Sequence, residues 1–406
     1  MDHIRINGDR LWQTLMRMAQ IGSTPAGGCA RLALTDLDKE GRDLFVSWCV
    51  EADCTVEIDE MGNIFATRQG ESALSPVMTG SHLDTQPTGG KFDGVYGVLA
   101  GLEVIRSMND RDLVTKRPVQ VVVWTNEEGA RFQPAMMGSG VLAGAFDLQE
   151  IYNNTDVAGL RLEDELERIG YKGAKPAAPP EARAYFEAHI EQGPILEAEQ
   201  KTIGIVTHQQ GIRWYNVCVE GQESHAGTTP MPLRKDALVT AAGLAVTVQK
   251  IAEAHAPAGC GTVGRFECFP GSPNTIPGKV TFSVDFRHPD NSVLDEMEKM
   301  FRDSVDTLNN EFDIQVDGYW RYPARAFDKG CVGYVEHAAR LLGYPAMQML
   351  TGAGHDASYM AQVIPTSMIF IPCAGGLSHN EAEDASKADC EAGANVLLQT
   401  MLAAAN

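Results

Sequence analysis

The stretch that decides the fold is a short apolar segment followed by a polar turn: PVQVVVW at residues 118–124, then TNEEG at residues 125–129. The segment is rich in β-branched residues and is bounded by a proline and an asparagine, which is typical of a buried strand. The turn places two adjacent acids, Glu127 and Glu128, directly after it. The sequence therefore predicts a buried strand that presents carboxylates at its carboxyl end.

Other short apolar segments alternate with helical patterns on both sides of this strand. Strands are predicted at residues 76–79, 185–189 and 367–371, and helices at residues 98–108 and 331–342. Strands that alternate with helices favour an α/β layer built on a largely parallel sheet. We therefore expect an α/β fold class.

Residues 211–325 follow a different pattern, which predicts a separate inserted domain. The predicted elements are strands at residues 212–220, 262–268, 279–287 and 314–320 and helices at residues 236–255 and 292–311. Their order is βαββαβ, a self-contained two-layer unit. A chain of 406 residues exceeds the roughly 250–300 residues at which a single core stops growing. We predict a discontinuous first domain at residues 1–210 and 326–406, interrupted by the insert.

The chain carries a strong excess of acidic side chains, 54 against 33 basic ones, for a net charge of -21. Such a field repels phosphate backbones and anionic lipid, so neither nucleic acid nor a membrane is an expected partner. The N-terminus, Met1-Asp2-His3, leads into mixed polar sequence without the apolar core of a signal peptide. Nine scattered cysteines without a Cys-x-x-Cys pair indicate a reducing compartment and argue against a cysteine-based zinc site. We expect a cytoplasmic protein.

Five turns near the ends of predicted strands carry side chains of the type that bind metals. They are GSHLDT (80–85), GGKFDGVYG (89–97), TNEEG (125–129), EAHIEQG (187–193) and GGLSHNE (375–381). In the first turn, the Asp84 carboxylate is expected to accept the second N–H of the His82 imidazole and to fix its metal-binding tautomer. In the second, glycines around Asp93 allow the backbone to approach a cation closely.

These turns form a metal site only if they converge in the fold. Ligands of open α/β sheets bind at the carboxyl ends of strands, and imidazole with carboxylate donors suits Zn²⁺, Mn²⁺, Co²⁺ or Ni²⁺. A two-ion site needs a bridging carboxylate such as Asp93. Of the adjacent acids Glu127 and Glu128, one can bind metal while the other stays free as a base. Each turn alone is more typical of a structural histidine or a solvated turn, and the five together leave both interpretations open.

The combined motifs resemble the amidase, or hydantoinase/carbamoylase, branch of the dinuclear zinc peptidase superfamily. The resemblance also rests on SHAGTTP at residues 224–230, GAGHD at residues 352–356 and LSHN at residues 377–380, and it covers nearly the whole chain. This branch contains the N-carbamoyl-L-amino-acid hydrolases, the β-ureidopropionases and the allantoate amidohydrolases. The resemblance implies a dinuclear-metal catalytic domain and an insert that acts as a lid and dimerisation domain.

The resemblance also implies the metal ligands and the catalytic groups. The implied ligands are His82, Asp93 and His189 for a first ion, and Asp93, Glu128 and His379 for a second. Glu127 matches the general base, and Asp84 matches the partner of the first histidine. Two divalent ions per subunit are therefore expected, with zinc preferred and manganese, cobalt or nickel as alternatives.

Further positions match substrate contacts of the resembled branch. His225 matches an oxyanion donor that reaches the site of a neighbouring subunit, and its alternative is a turn histidine bonded to nearby backbone. Asn274 matches a substrate-binding asparagine, and Arg287 matches the arginine that binds the substrate carboxylate. Plain turn chemistry and a strand-end salt bridge are the alternatives for these two. Gln192 and Gly354 match additional contacts, the glycine through its backbone N–H.

The implied reaction is cleavage of the ureido group of an N-carbamoyl amino acid, of the L-α or β-alanine type, to ammonia, carbon dioxide and the amino acid. Allantoate hydrolysis, which gives ammonia and a ureidoglycine-type product, stays open. So does an aminoacylase or dipeptidase of the wider superfamily, although Arg287 with Asn274 favours ureido acids. A non-catalytic protein would be indicated by loss of the base or a ligand, but all are present. We expect a metal-dependent hydrolase of linear amides that acts on a small ureido acid and dimerises through its insert.

Overall fold

The structure, a computed structural model, describes residues 3–406. Met1 and Asp2, on which the expectation about a signal peptide partly rests, lie outside the described residues. The strands of the described chain are β1 (Thr55–Ile58), β2 (Ile64–Arg68), β3 (Val77–His82), β4 (Val119–Trp124), β5 (Ala184–Ile190), β6 (Ile203–Gln209), β7 (Gly211–Glu220), β8 (Ser224–His225), β9 (Cys260–Thr262), β10 (Phe266–Phe269), β11 (Thr275–Ile276), β12 (Lys279–His288), β13 (Asp313–Tyr322), β14 (Arg325–Ala326), β15 (Ala346–Thr351) and β16 (Thr366–Ile371).

The helices lie between these strands. They are α1 (Gly8–Met18), α2 (Asp36–Glu51), α3 (Val95–Asn109), α4 (Met137–Leu142), α5 (Leu148–Tyr152), α6 (Leu162–Ile169), α7 (Ile195–Ala198), α8 (Ala237–Ala254), α9 (Asn291–Asp306), α10 (Lys329–Leu342), α11 (Asp356–Met360) and α12 (Lys387–Ala405).

The chain divides into two compact units. Unit 1 runs to Thr207 and resumes at Phe327, and unit 2 is His208–Ala326. Unit 2 therefore begins three residues before the predicted insert, 211–325, and ends one residue after it. Each unit has its own hydrophobic core.

Unit 1 is built on a sheet with the strand order β1-β2-β4-β3-β5-β16-β6, and β15 also pairs with β6. The pairs β4–β3, β3–β5 and β5–β16 are parallel. The pairs β1–β2, β2–β4 and β16–β6 are antiparallel. The sheet is therefore mixed, and the prediction of a largely parallel sheet is correct only for its four central strands. Those four strands are buried along their whole length, as expected where a parallel sheet is covered on both faces.

Side chains of the central strand β4 alternate between two cores. Val121 and Val123 belong to the larger core, whereas Val122 and Trp124 belong to the smaller core on the opposite face. This two-residue alternation is a property of any extended strand, and burial on both faces explains why the segment is almost continuously apolar. Helix α3, nearly all of it buried, contributes to the larger core.

Unit 2 contains a five-stranded antiparallel sheet with the order β10-β12-β7-β13, and β9 also pairs with β12. Helices α8 and α9 pack on this sheet and on each other. The chain order of its main elements is βαββαβ, as predicted. The core includes Val217, Phe282 and Phe301, which come from the sheet and from α9.

Two predicted elements of unit 2 differ from the structure. The strand predicted at residues 262–268 is two strands, β9 and β10, that pair with different parts of β12. The helix predicted at residues 292–311 ends at Asp306. Beyond it, the side chains of Thr307 and Asn309 hydrogen-bond to nearby backbone groups, and such local bonds compete with helix continuation.

Helix α8 is the one helix among residues 3–406 that is long and apolar enough, by length and composition, to cross a membrane. One of its faces carries Ala241, Leu244 and Val248 into the core of unit 2. Val239 and Val246 remain exposed. The apolar character of α8 thus comes from a core face together with a second, exposed apolar face.

Candidate active site

Four adjacent parallel strands bring the predicted turns to one edge of the sheet in unit 1. Strand β3 ends at His82, β4 is followed by the TNEEG turn, and β5 carries His189 next to its last residue. Strand β16 ends at Ile371 and leads into the loop that contains His379. Because the carboxyl ends of parallel neighbours lie together, side chains distant in sequence meet there.

A first set of donors consists of His82, Asp93 and His189, all buried. The Asp93 Oδ1 atom lies 3.1 Å from His189 Nε2 and 3.5 Å from His82 Nε2. The ligand atoms of the set all lie within 4.8 Å of one another. This arrangement is compact enough to surround a single ion.

A second set of donors consists of Asp93, Glu128 and His379, and it shares Asp93 with the first. The His379 Nε2 atom lies 3.3 Å from Glu128 Oε2 and 3.6 Å from Asp93 Oδ2. Because the two sets use different oxygens of Asp93, this carboxylate lies between them. About half of the His379 side chain is exposed, at 52%, so the second set opens to solvent.

The two buried histidine rings are oriented by backbone carbonyls. The Nδ1 atom of His82 lies 2.9 Å from the Asp84 carbonyl oxygen, and that of His189 lies 2.9 Å from the Ile190 carbonyl oxygen. A carbonyl only accepts, so each Nδ1 carries a proton and each Nε2 of the neutral ring keeps a lone pair. The Gly94 N–H, 3.1 Å from His189 Nε2, is consistent with that state. Both rings therefore present an Nε2 ligand atom.

The predicted bond between the His82 ring and the Asp84 carboxylate is wrong, because a different oxygen of Asp84 accepts it. The ring bonds to the backbone carbonyl of Asp84. The carboxylate instead accepts the backbone N–H groups of Glu127, at 3.3 Å, and Glu128, at 3.2 Å. Asn126, just before them, has a positive φ of 54°, so the chain turns sharply there. Asp84 thus supports the turn that carries both acids.

Glu127 lies beside the donor sets without belonging to either. Its Oε2 atom is 3.4 Å from His82 Nε2, and the residue is buried. Burial raises the pKa of Glu127 well above its ordinary value, the nearby carboxylates add to the effect, and His82 opposes it. A carboxyl group whose pKa is raised in this way is suited to accept and return a proton near neutral pH.

The loop that carries Asp93 is shaped by a glycine and by a buried acid. Gly94 has φ of 66°, and a Cβ atom there would lie 2.3 Å from the His82 ring. The Glu383 carboxylate accepts the backbone N–H groups of Phe92 and Asp93, both at 3.0 Å. Burial, together with the Asp93 charge, raises the pKa of Glu383 to about 7. Glu383 therefore fixes the loop that presents the shared carboxylate.

Two more side chains hold the second oxygen of Asp93. The Gln192 amide donates to Asp93 Oδ2 at 2.7 Å, and the Ser378 hydroxyl donates to it at 2.8 Å. Gln192, predicted as a substrate contact, therefore bonds to the shared carboxylate in this structure. Ser378 and Glu383 are not singled out by the motifs. The one feature of the sequence that could have indicated them is that they lie close to His379. The sequence does not show where their side chains point.

The GAGHD segment leads into α11, whose first residue is Asp356. Gly354 is close to Met136, whose side chain would contact a Cβ atom at position 354. The ring of His355 packs edge-on against His189 with centroids 4.5 Å apart, and its buried Nε2 has no hydrogen-bond partner among residues 3–406. His355 with Glu187 and His189 forms a third group of possible ligands. The Glu187 carboxylate accepts from the Ser81 hydroxyl and from the Ala357 N–H.

The remaining predicted site residues belong to unit 2. His225 on β8 accepts the N–H groups of Gly227 and Thr228 through Nδ1, at 3.0 and 3.2 Å. Strand β8 pairs with β11, so His225 lies beside the loop of Asn274, whose carbonyl accepts the Ala226 N–H. Arg287 on β12 forms an ion pair with Asp285 at 2.8 Å. The backbone-bonded histidine and the salt bridge, the two alternatives considered above, both occur within this unit.

The charge balance of the site favours a cation. Although burial acts in the opposite direction, His189 and His82 hold the pKa of Asp93 well below its ordinary value. Burial and the Asp93 charge raise the pKa of Glu128 to about 8. Crowded carboxylates beside imidazole Nε2 atoms form a donor set that a divalent ion of the zinc type satisfies. The residues present therefore fit a metal centre.

A mixed α/β fold with imidazole and carboxylate donors at its strand ends defines the class of a metal-dependent hydrolase. Residues 78–403 match the family described as Peptidase family M20/M25/M40. The chain belongs to this family, which confirms the predicted family relationship and the prediction of a hydrolase.

The relatives and solved structures are close in sequence and in fold. The chain is 49% identical over 401 residues to the N-carbamoyl-L-amino-acid amidohydrolase of Rhizobium meliloti, covering 98% of this chain and 96% of the relative. It is 34% identical over 419 residues to the ureidoglycolate hydrolase of Oryza sativa subsp. japonica, covering 98% and 84%. A crystal structure of an amidase of the hydantoinase/carbamoylase family from Burkholderia multivorans superposes with a TM-score of 0.96 at 55% identity, covering 99% and 98%.

Proposed function

We propose that this chain hydrolyses the ureido group of an N-carbamoyl amino acid, of the L-α or β-alanine type, to ammonia, carbon dioxide and the free amino acid. The observation that carries the proposal is the buried Glu127 carboxylate beside two donor sets that share Asp93. The relative from Rhizobium meliloti, with 49% identity over nearly the full length, supports the choice of substrate.

Two divalent ions are proposed, with zinc first and manganese, cobalt or nickel as alternatives. His82, Asp93 and His189 would hold one ion, and Asp93, Glu128 and His379 the other. When bound, such ions supply Lewis acidity and lower the pKa of water towards neutrality. The shared Asp93 and the fixed ring orientations support this assignment.

The proton transfers are assigned to Glu127. It takes a proton from the attacking water as the oxygen bonds to the ureido carbonyl carbon, and it returns a proton to the terminal nitrogen as the carbon–nitrogen bond breaks. Ammonia leaves, and the remaining carbamic acid of the amino acid releases carbon dioxide and the free amine. Water supplies the oxygen, so the atoms of the reaction balance without another reactant.

Unit 2 is proposed to supply substrate contacts as the lid. Nδ1 of His225 accepts two backbone N–H groups, so the N–H of the neutral ring is at Nε2. This N–H can donate a hydrogen bond to a developing oxyanion. Arg287 would bind the substrate carboxylate, and Asn274 would bind a polar group of the substrate. Gln192 and the Gly354 N–H are proposed as contacts from unit 1. The Arg287 guanidinium already binds one carboxylate, that of Asp285.

A second candidate is a related ureido acid such as allantoate, which would give ammonia, carbon dioxide and a ureidoglycine-type product. The 34% identity to a relative named ureidoglycolate hydrolase favours retaining it. An aminoacylase or dipeptidase activity is a third candidate, supported by the breadth of the family.

A homodimer through unit 2 and a cytoplasmic location are also proposed. The exposed face of α8 includes Leu238, Val239 and Val246. An apolar face of this kind is a common site of association. Sedimentation velocity should give a particle of about twice the 44.0 kDa chain mass, and a purely monomeric particle would contradict the dimer.

The activity test measures ammonia released from N-carbamoyl-β-alanine, N-carbamoyl-L-methionine and allantoate, with and without added Zn²⁺, Mn²⁺ or Co²⁺. We expect metal-dependent release of ammonia from an N-carbamoyl amino acid and little release of ammonia from allantoate. Release from allantoate alone would favour the second candidate. If the metal-loaded protein releases ammonia from none of the three, the ureido-acid proposal is wrong.

A further inference from the structure

The two donor sets are held in different ways. In the first set, backbone carbonyls fix both histidine rings. In the second set, side chains hold the carboxylates: Gln86 donates to Glu128, and Gln192 and Ser378 donate to Asp93 Oδ2. Backbone groups cannot be changed by substitution, whereas these side chains can. Metal affinity at the second position is therefore open to control by individual residues.

Gln86 makes the most direct of these contacts. Its Nε2 group donates to Glu128 Oε2 at 2.8 Å, and the same oxygen faces His379 Nε2 at 3.3 Å. This is the single hydrogen bond of the Gln86 side chain among residues 3–406. The side chain is therefore committed to orienting one proposed ligand.

The backbone around Gln86 is rigid enough for that task. The Gln86 carbonyl accepts the Gly89 N–H at 3.2 Å and the Thr85 hydroxyl at 3.0 Å. On the other side, the Glu128 N–H is held by the Asp84 carboxylate. Donor and acceptor thus approach each other from two fixed turns, so the hydrogen bond restrains the carboxylate rather than following it.

We propose that Gln86 is a positioning residue that sets the affinity of the second metal ion by holding the Glu128 carboxylate in one orientation. The inference rests on the proposed two-ion centre. A neutral donor restricts rotation of a carboxylate and leaves its remaining lone pairs for an ion. Loss of the donor releases Glu128 to rotate within a half-open site, so the second ion should bind more weakly while the first is unaffected.

The test is calorimetric titration of the metal-free protein with Mn²⁺. The wild type should bind two ions. Gln86→Met keeps the length of the side chain but removes the donor, and it should weaken the second binding step by about 10- to 100-fold, leaving the first step within about twofold. Thr88→Ala is the matched control because Thr88 lies in the same turn and is exposed. It should leave both steps unchanged.

A second readout separates positioning from a general loss of structure. Binding of Co²⁺ is followed by its visible absorption. The absorption change from the second position should require a higher Co²⁺ concentration in Gln86→Met than in the wild type. The change from the first position should occur at the same concentration in both. Equal weakening of both steps, or an unchanged second step, would overturn the role of Gln86. A wild type that binds fewer than two ions would instead contradict the two-ion centre itself, and this inference with it.

Discussion

At the residue scale, Glu127 and Glu128 are neighbours in sequence for which we propose different roles. Only Glu128 belongs to a donor set, whereas Glu127 lies against the His82 ring. The positive φ of Asn126 and the two N–H bonds to Asp84 fix the turn that separates them. The different positions of the two carboxylates thus depend on backbone geometry as much as on residue type.

Glu127→Gln should retain metal and lose turnover by orders of magnitude, about 10²- to 10⁴-fold, because an amide cannot take up and return the proton. Steady-state kinetics and metal analysis of the same sample measure both quantities. Glu60→Gln, a substitution of the same kind outside the site, is the control. Near-normal turnover in Glu127→Gln would refute its role as the base.

Arg287→Ala should chiefly raise KM for an N-carbamoyl amino acid, by about 10-fold or more, because a charge-assisted contact to the substrate carboxylate is lost. The KM of an uncharged N-carbamoyl amide should change far less. Arg265→Ala, on the same unit, serves as the control. An unchanged KM for the acid would count against a carboxylate-binding role.

The sequence indicated which side chains come together, but not the atoms through which they bond. The motifs point to Asp84 beside His82, yet the bond is made by its carbonyl while its carboxylate supports the next turn. The motifs are silent on Glu383 and Gln86 because their function depends on where a side chain points across the fold. Such contacts join segments as far apart as 290 residues, as between Glu383 and Asp93.

At the element scale, the turn after β3 and the start of α3 decide whether the donors can meet. Gly94 immediately precedes α3, and its backbone packs against the His82 ring. The glycine-rich spacing predicted a close approach of backbone to the site. The strands themselves were recognisable because burial on both faces makes them apolar, whereas the β9–β10 break depends on pairing with β12.

Gly94→Ala should weaken binding of the first ion by at least about 10-fold and lower the melting temperature, because the new methyl group would contact the His82 ring. Gly144→Ala is a matched control, since Gly144 also has a positive φ, 74°, but no atom lies within 4 Å of its missing Cβ. Calorimetric titration and thermal melting measure both effects. If the two variants behave alike, backbone strain alone explains the result and the contact with His82 is unimportant.

The turn between β1 and β2 should make stability depend on pH. The buried Asp59 carboxylate accepts the N–H and the side-chain amide of Asn63 at 2.8 Å, and Asn63 in turn accepts the Thr125 N–H. Burial raises the pKa of Asp59 from 3.8 to about 7. The folded state therefore holds a proton that the unfolded state has released between about pH 4 and pH 7. Stability from this group is lost as pH rises through that window.

The comparison is urea unfolding of wild type and Asp59→Asn at pH 5 and pH 8. The free energy of unfolding of the variant, relative to wild type, should increase on going from pH 5 to pH 8, by about 2.5 kcal/mol. Glu51→Gln, at an exposed position, should show no such change. Parallel pH dependence in Asp59→Asn and wild type would show that Asp59 does not titrate in this range.

At the scale of the whole molecule, the chain leaves unit 1 at Thr207 and returns to it at Phe327. The change in pattern from an α/β layer to βαββαβ was readable because the insert is a self-contained unit with its own core. The mixed sheet was less predictable, since strand direction at the edges depends on pairing between segments that sequence periodicity does not connect. The sequence motifs indicated that His82, His189 and His379 belong together, but only the fold shows that they lie close to one another.

Metal removal should destabilise unit 1, because the site concentrates carboxylates that a cation would neutralise. Treatment with EDTA should lower the melting temperature, and added Zn²⁺ or Mn²⁺ should restore it. At a free-ion concentration of 100 times Kd, the stabilisation is about 2.7 kcal/mol. EDTA already saturated with zinc is the control for effects of the chelator. An unchanged melting temperature in fully demetallated protein would argue that no ion is bound to the folded site.

The proposed two-ion centre consists of His82, Asp93, Glu128, His189 and His379 beside Glu127. Anomalous X-ray diffraction at the zinc absorption edge, from crystals of the zinc-loaded chain, tests it most directly. Two anomalous peaks are expected, one contacting His82, Asp93 and His189 and the other contacting Asp93, Glu128 and His379. No peak among these side chains, with the three imidazoles turned away from a common centre, would contradict it.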